Sequence, residues 1–340
     1  MRTRKYLATA LVALLALLLA ACGETEGFDD SAGGDDGGDT DATDAAADDA
    51  ATGGEDAEGA GLEGATITVG SKDFDEQLVL GSISKLLLSD AGAEVVDEIN
   101  TGGTDAVRGA LTGGSIDHYW EYNGTAWISF FGETEPIPDV QEQYQVVADR
   151  DLEENDLVWL QPAPFNNTYG LAMASDVHSE LGSPATLSDI GPLLEEDPGL
   201  TICVEVEFQS RDDGLPGMEE TYGYSFDSVE VLDTGLIYTE TAEGNCTFGE
   251  VFISDGRIAA LDLVVLEDDQ GFFPLYNPSP VFRSEVYDPV AEELDALYSP
   301  VTEALTLEVM QDLNARVSAD GERPEAVAED WLTENGFIGG

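Results

Sequence analysis

Positive charge is the scarce resource in this chain of 340 residues. Twelve Lys and Arg stand against 71 Asp and Glu, a formal net charge of −59, and the only lysines are Lys5, Lys72 and Lys85. A lysine in the turn Gly70-Ser71-Lys72 is therefore easy to read as selected for a cationic role. Ser82-Ile-Ser-Lys85 matches the Ser-x-x-Lys pattern of penicillin-recognising enzymes, in which the serine is the nucleophile. That chemistry also needs a Lys-Thr-Gly element downstream, and no lysine follows Lys85. Paired carboxylates can hydrolyse glycosides, but so many acids place pairs everywhere and the pattern carries no signal. Two histidines and three cysteines make no zinc framework, so no metal or other cofactor is expected. No Walker A or dinucleotide fingerprint appears, so no nucleotide site is expected. The charge balance excludes a nucleic-acid binder that neutralises phosphates and disfavours a patch for anionic lipid heads. An apolar share of 42% still allows a core. A binding protein, not an enzyme, is the expectation.

The two ends of the charge distribution differ. Arg2, Arg4 and Lys5 precede the apolar run 7–21, which is short against the roughly 20 residues of a membrane span. This reads as a secretory signal over 1–21. The run ends Leu19-Ala20-Ala21-Cys22-Gly23, which resembles a bacterial lipobox, so Cys22 is the expected lipidation site. Residues 22–64 form an acidic, Gly-rich tether with 15 acids and no base, expected to be disordered and extended by self-repulsion. These features predict an extracytoplasmic protein, lipid-anchored to the outer face of the cell membrane. The remainder, from Ala65 onwards, carries 56 acidic and nine basic residues. Charge of that size on a folded domain is tolerated best where salt screens it, which points to a salty habitat.

The elements that must position any site alternate. Residues 65–69 read as a strand, 77–89 as a helix, 94–99 as a strand, 105–111 as a helix and 116–120 as a strand. Pro162 and Pro164 mark a break. A second series of strands follows at 169–174, 201–206, 230–232 and 261–266, with closing helices at 288–298, 302–317 and 325–335. Alternation of this kind predicts βαβ units, parallel sheets and two α/β lobes with ligand between them. Two cysteines remain in the exported part, and Cys203 and Cys246 are expected to form one disulfide.

Six short motifs occur in one order: Gly70-Ser-Lys-Asp-Phe-Asp-Glu-Gln77, Thr101-Gly-Gly-Thr-Asp-Ala-Val-Arg108, Ile116-Asp-His-Tyr-Trp-Glu-Tyr-Asn-Gly-Thr125, Asn167-Thr-Tyr-Gly170, Ser254-Asp-Gly-Arg-Ile258 and Phe272-Phe-Pro-Leu-Tyr276. Together they resemble the substrate-binding proteins of ABC transporters for glycine betaine, choline and related quaternary amines, over about four fifths of the chain. The resemblance implies a two-lobed Venus-flytrap fold, the type II periplasmic-binding-protein fold. Its first lobe is discontinuous: lobe 1 from 65–167 and 275–340, lobe 2 from 168–274. It implies an aromatic cage for the trimethylammonium group at Tyr122, Tyr169, Phe252 and Tyr276, with Phe252 where the family usually has tyrosine. Lys72, Thr125 and Arg211 fall on the carboxylate side, and Asn167 is expected to line the ammonium end through its backbone.

The physics agrees. A quaternary ammonium has no N–H to donate, but π-faces attract it. Arginine can grip a carboxylate bidentately, while lysine supplies a point charge. Such a clamp favours a zwitterion such as glycine betaine or proline betaine over choline. The implied partners are the solute, an ABC permease with its ATPase, and the membrane through the lipid anchor; the implied role is osmoprotection. Glu121 is expected at the surface, Arg257 in a structural role near the hinge, and His118 and His178 as surface or satisfied core. Asp75 is expected either to cap a helix or to weaken the Lys72 clamp. A binding or sensor lipoprotein of the same fold for another small solute, an amino acid or a sugar, remains the alternative.

Overall fold

The computed structural model describes residues 61–133 and 135–339. The expected signal peptide, Cys22 and its lipid, and the tether up to residue 60 lie outside the described residues. The last tether residues belong to the folded part. Leu62 is buried, and its N–H donates to the Ala91 carbonyl at 2.8 Å. One leucine in an acidic, Gly-rich run has no periodicity to betray it; only the core it enters explains it.

Ten strands are described: β1 (Thr66–Lys72), β2 (Glu94–Gly102), β3 (His118–Tyr122), β4 (Leu157–Trp159), β5 (Tyr169–Ala174), β6 (Thr201–Val204), β7 (Ser228–Val231), β8 (Phe248–Phe252), β9 (Leu263–Val265) and β10 (Pro278–Arg283). They form two five-stranded sheets, ordered β2-β1-β3-β10-β4 and β7-β6-β8-β5-β9. Each sheet has the same plan. Three strands run parallel, β2-β1-β3 in one and β7-β6-β8 in the other, and the fourth, β10 or β5, runs antiparallel to both its neighbours. The chain changes sheet between β4 and β5 and again between β9 and β10. The reversed strands are the two that it enters just after changing.

The expected all-parallel pairing is thus corrected to two mixed sheets. Helical crossovers force parallel pairing, and α1 (Asp75–Asp90) and α2 (Thr104–Thr112) make such crossovers from β1 to β2 and from β2 to β3. A strand arriving from the other sheet has no such helix and is free to run the other way.

Several local expectations shift for identifiable reasons. Gly70-Ser71-Lys72 is the end of β1 and not a turn; the pairing with β2 slips between Gly70 and Lys72, which is a bulge. The helix expected at 302–317 is two helices, Ala291–Ala304 and Leu307–Ser318, because Thr306 caps the second by accepting from the Val309 N–H at 3.3 Å. β6 stops at Val204 because the Glu205 side chain accepts from the Glu207 N–H and starts the helix Val206–Ser210.

β4, β8 and β10 have no counterpart among the expected strands. β10 contains Pro278 and Pro280, which argue against an inner strand. Their carbonyls nevertheless accept from Ala163 and Leu160 N–H groups at 2.8 and 2.9 Å. β8 carries Gly249 and Glu250 at its centre, and both are buried.

In the core that covers the first sheet, Leu80, Ile83 and Leu87 of α1 pack with Trp331 and Leu332 of the C-terminal helix Pro324–Glu334. His118 is satisfied in the core: Nδ1 lies 3.0 Å from the Val281 carbonyl and Nε2 2.7 Å from Ser84 Oγ. Its burial pushes its pKa down to about 3. The second core joins Leu171, Ile202, Val204 and Phe208, and it continues into Tyr122, Tyr169 and Tyr276. Among the described residues, no helix is long and apolar enough to cross a membrane.

Cys203 in β6 and Cys246, two residues before β8, form the expected disulfide, with Cα atoms 5.8 Å apart and a sequence separation of 43. A closed loop of that size restricts the unfolded chain. Replacing both cysteines by alanine is expected to lower the unfolding free energy by about 2–4 kcal/mol in urea titrations. An unchanged midpoint would show that the bridge does not stabilise the fold.

Glu250 yields a second test. Burial pushes its carboxyl pKa up to about 8, against the Glu205 N–H that donates to it at 2.7 Å. The folded pKa is raised above the unfolded value, so this stability is full below about 4.5 and is lost as pH rises through about 8. Melting temperatures measured from pH 6 to 9 should fall for the wild type and flatten in Glu250→Gln. Parallel curves would mean that Glu250 does not titrate in this window.

Candidate ligand-binding site

Between the two sheets lies a cavity of about 50 Å³, in the measure where one water takes roughly 10–15 Å³. Seven of the eight anticipated residues line it: Lys72, Thr125, Asn167, Tyr169, Arg211, Phe252 and Tyr276. Tyr122 is set back from its wall. Phe74, which the sequence reading passed over although it lies inside Gly70-Ser-Lys-Asp-Phe, lines the cavity and stacks on Tyr122 with centroids 6.2 Å apart.

The aromatic wall follows from strand register. β5 pairs with β8 so that Tyr169 stands opposite Phe252, and their rings lie 5.1 Å apart. Cross-strand partners of this kind are close enough to act as one surface. Tyr276, just before β10, meets Tyr169 edge-on at 5.3 Å, and Phe74 stacks on Phe252 at 5.2 Å and 12°. Phe74, Tyr169, Phe252 and Tyr276 thus present faces and edges to one small space, drawn from both sheets. Hydroxyls fix two of the tyrosines: Tyr276 OH donates to Asp213 Oδ2 at 2.6 Å and Tyr122 OH to Glu76 Oε1 at 2.8 Å.

Both cations are already partnered. Lys72 Nζ lies 2.7 Å from Glu121 Oε1, and the two side chains are 4% and 0% exposed. Glu121 also accepts from Tyr119 OH and from the Tyr122 N–H. It is a buried counter-ion, which corrects its expected place at the surface; alternation along β3 could not show that every residue of that strand is buried. Arg211 forks onto Asp213 through Nε at 2.7 Å and Nη2 at 2.5 Å, and its Nη1 lies 3.4 Å from Glu207 Oε2. Three further carboxylates, Asp73, Glu205 and Glu207, line the cavity.

Asn167 ties this wall to Glu76, in the first turn of α1 and fully buried. Glu76 Oε1 receives Tyr122 OH and Asn167 Nδ2, and Oε2 lies within 2.9 Å of Ser254 Oγ and Asn314 Nδ2. Ser254 Oγ is 2.6 Å from both Glu76 Oε2 and Asn167 Oδ1, yet a hydroxyl has one proton to donate. The ring of Glu76, Asn167 and Ser254 closes when Glu76 supplies the missing proton. Burial drives it the same way, raising the Glu76 pKa against the Ser254, Tyr122 and Asn314 hydrogen bonds. Asp75, beside it, lies 3.3 Å from Arg257 Nη2, so it pairs with that arginine and not with Lys72. Arg257 in turn forks onto Asp255 and lies over the Tyr238 ring.

The rings that line this cavity suit a cation that cannot donate a hydrogen bond, and the carboxylates beside them suit its charge. Among the described residues no group of His, Cys, Asp and Glu is set to hold a metal ion. Residues 65–334 match the family described as the substrate-binding domain of ABC-type glycine betaine transport systems. A glycine-betaine-binding protein of Pseudomonas aeruginosa is 38% identical over 82% of this chain and 91% of its own length. The glycine betaine-binding protein YehZ of Escherichia coli is 34% identical over 80% and 91% respectively. The apo structure of the latter superposes with a TM-score of 0.60 at 33% identity, covering 80% of this chain and 99% of the other. The fold is therefore the two-lobed type II binding-protein fold, and the chain belongs to the family of substrate-binding domains of ABC-type glycine betaine transporters.

Proposed function

We propose that this protein captures a quaternary ammonium solute between its lobes outside the cytoplasm and delivers it to an ABC permease driven by a partner ATPase. The observation that carries the reading is the set of four aromatic rings around one cavity, from Phe74, Tyr169, Phe252 and Tyr276. Relatives named for glycine betaine support it. The lobes are assigned as 65–167 with 275–340, and 168–274, following the two sheets. Tyr122 acts from behind the wall through Phe74 and Glu76. A signal peptide over 1–21 and a lipid on Cys22 would hold the domain at the outer face of the membrane. Import of a compatible solute also fits a domain whose acid excess suits salt.

Calorimetric titration with glycine betaine, choline, proline and maltose tests the reading. At least one quaternary amine should bind, and proline and maltose should not compete with it. Each good π-contact to a desolvated ammonium contributes about 0.5–2 kcal/mol. Tyr169→Ala and Phe252→Ala should therefore weaken that ligand roughly 2-fold to 30-fold each. Binding of maltose, or unchanged affinity in both variants, would overturn the cage.

A further inference from the structure

Glu207 stands where a ligand carboxylate would be expected. It belongs to the helix Val206–Ser210 in the second lobe, and its Oε1 accepts from the Thr104 N–H, at the start of α2 in the first lobe, at 2.7 Å. A helix N-terminus favours an anion there, and here the anion is the protein's own. The other oxygen, Oε2, faces Arg211 Nη1 at 3.4 Å. Burial opposes the Glu207 charge, but Lys72, the Thr104 donors and Arg211 together hold its pKa below the usual carboxylate range. The fit is close: a Cβ on Gly103 would lie 2.6 Å from Glu207 Oε1.

We infer that Glu207 fills the anion subsite of the cavity and makes this protein selective for quaternary ammonium cations that carry no carboxylate. The inference rests on the proposed solute class and narrows it. The two cations that would clamp a zwitterion are spent on Glu121 and Asp213, and Asp73, Glu205 and Glu207 add three more carboxylates at the wall. A betaine would bring a further carboxylate against these without a free cation to receive it. Rejection by a placed like charge is a recognised route to specificity. A choline-type cation brings the ammonium for the rings and an uncharged hydroxyl in place of the carboxylate.

The experiment is titration of choline and glycine betaine into the wild-type chain, Glu207→Gln and Glu207→Ala, with melting curves to confirm folding. The wild type is expected to bind choline at least 10-fold more tightly than glycine betaine. Removing the charge, with the shape kept in the glutamine variant and emptied in the alanine variant, should shift that ratio towards glycine betaine by 10-fold or more. A wild type that prefers glycine betaine overturns the inference and leaves the functional reading standing. So does an equal loss for both solutes in both variants, which would make Glu207 a latch between the lobes only. If the wild type binds neither solute, the functional reading fails and the inference with it.

Discussion

A buried carboxyl group has to be met by hydrogen-bond partners, and Glu76 is such a group. Its neighbours come from four separate stretches of chain: Tyr122 at the end of β3, Asn167 before β5, Ser254 after β8, and Asn314 in the helix Leu307–Ser318. Leaving any of these groups unpaired in the interior would cost on the order of 1–3 kcal/mol. The arrangement therefore holds as a unit. Satisfying Glu76 brings the segment after β8 in the second lobe against α1 of the first. It also fixes the start of α1, and with it Phe74, which stacks on Phe252 at the cavity wall.

The same lobes are joined a second way. Asn166 and Asn167 lie on the passage from the first sheet to the second, and Tyr276 on the passage back. The Tyr276 N–H donates to Asn166 Oδ1 at 2.7 Å, and the Asn167 N–H donates to the Tyr276 carbonyl at 3.1 Å. The two passages thus run side by side and are bonded to each other at the cavity. Reversal of β5 and β10 follows from this arrangement, because each strand begins at the crossing and leads away from it. Residues of the site consequently sit at strand beginnings and ends, beside the two crossings.

Charge is managed by internal pairing. Among the described residues, eight basic side chains contact carboxylates: Lys72, Lys85, Arg108, Arg150, Arg211, Arg257, Arg283 and Arg316. The exposed pairs contribute little. Two buried pairs at the cavity, Lys72 with Glu121 and Arg211 with Asp213, offset a desolvation cost and fix side-chain positions there. In a domain with this excess of acid, a cation near the ligand is not thereby available to the ligand. Its own counter-ions have first claim.

The class of the molecule can be read along the chain. Alternating elements, scarce lysines and six ordered motifs were enough for a two-lobed binding fold, and they named seven of the residues that line the cavity. Those signals are local, so they can be read along the chain: periodicity, composition, and short runs of fixed residue type. The tertiary structure alone decided what depends on partners distant in sequence. The reversal of β5 and β10, the burial of Leu62, the pairing of Lys72 with Glu121 49 positions away, and the place of Phe74 in front of Tyr122 are all of that kind. A pattern of residue types records which groups are polar or apolar. It does not record which carboxylate reaches which cation first, because that depends on where folding puts the two ends of the pair.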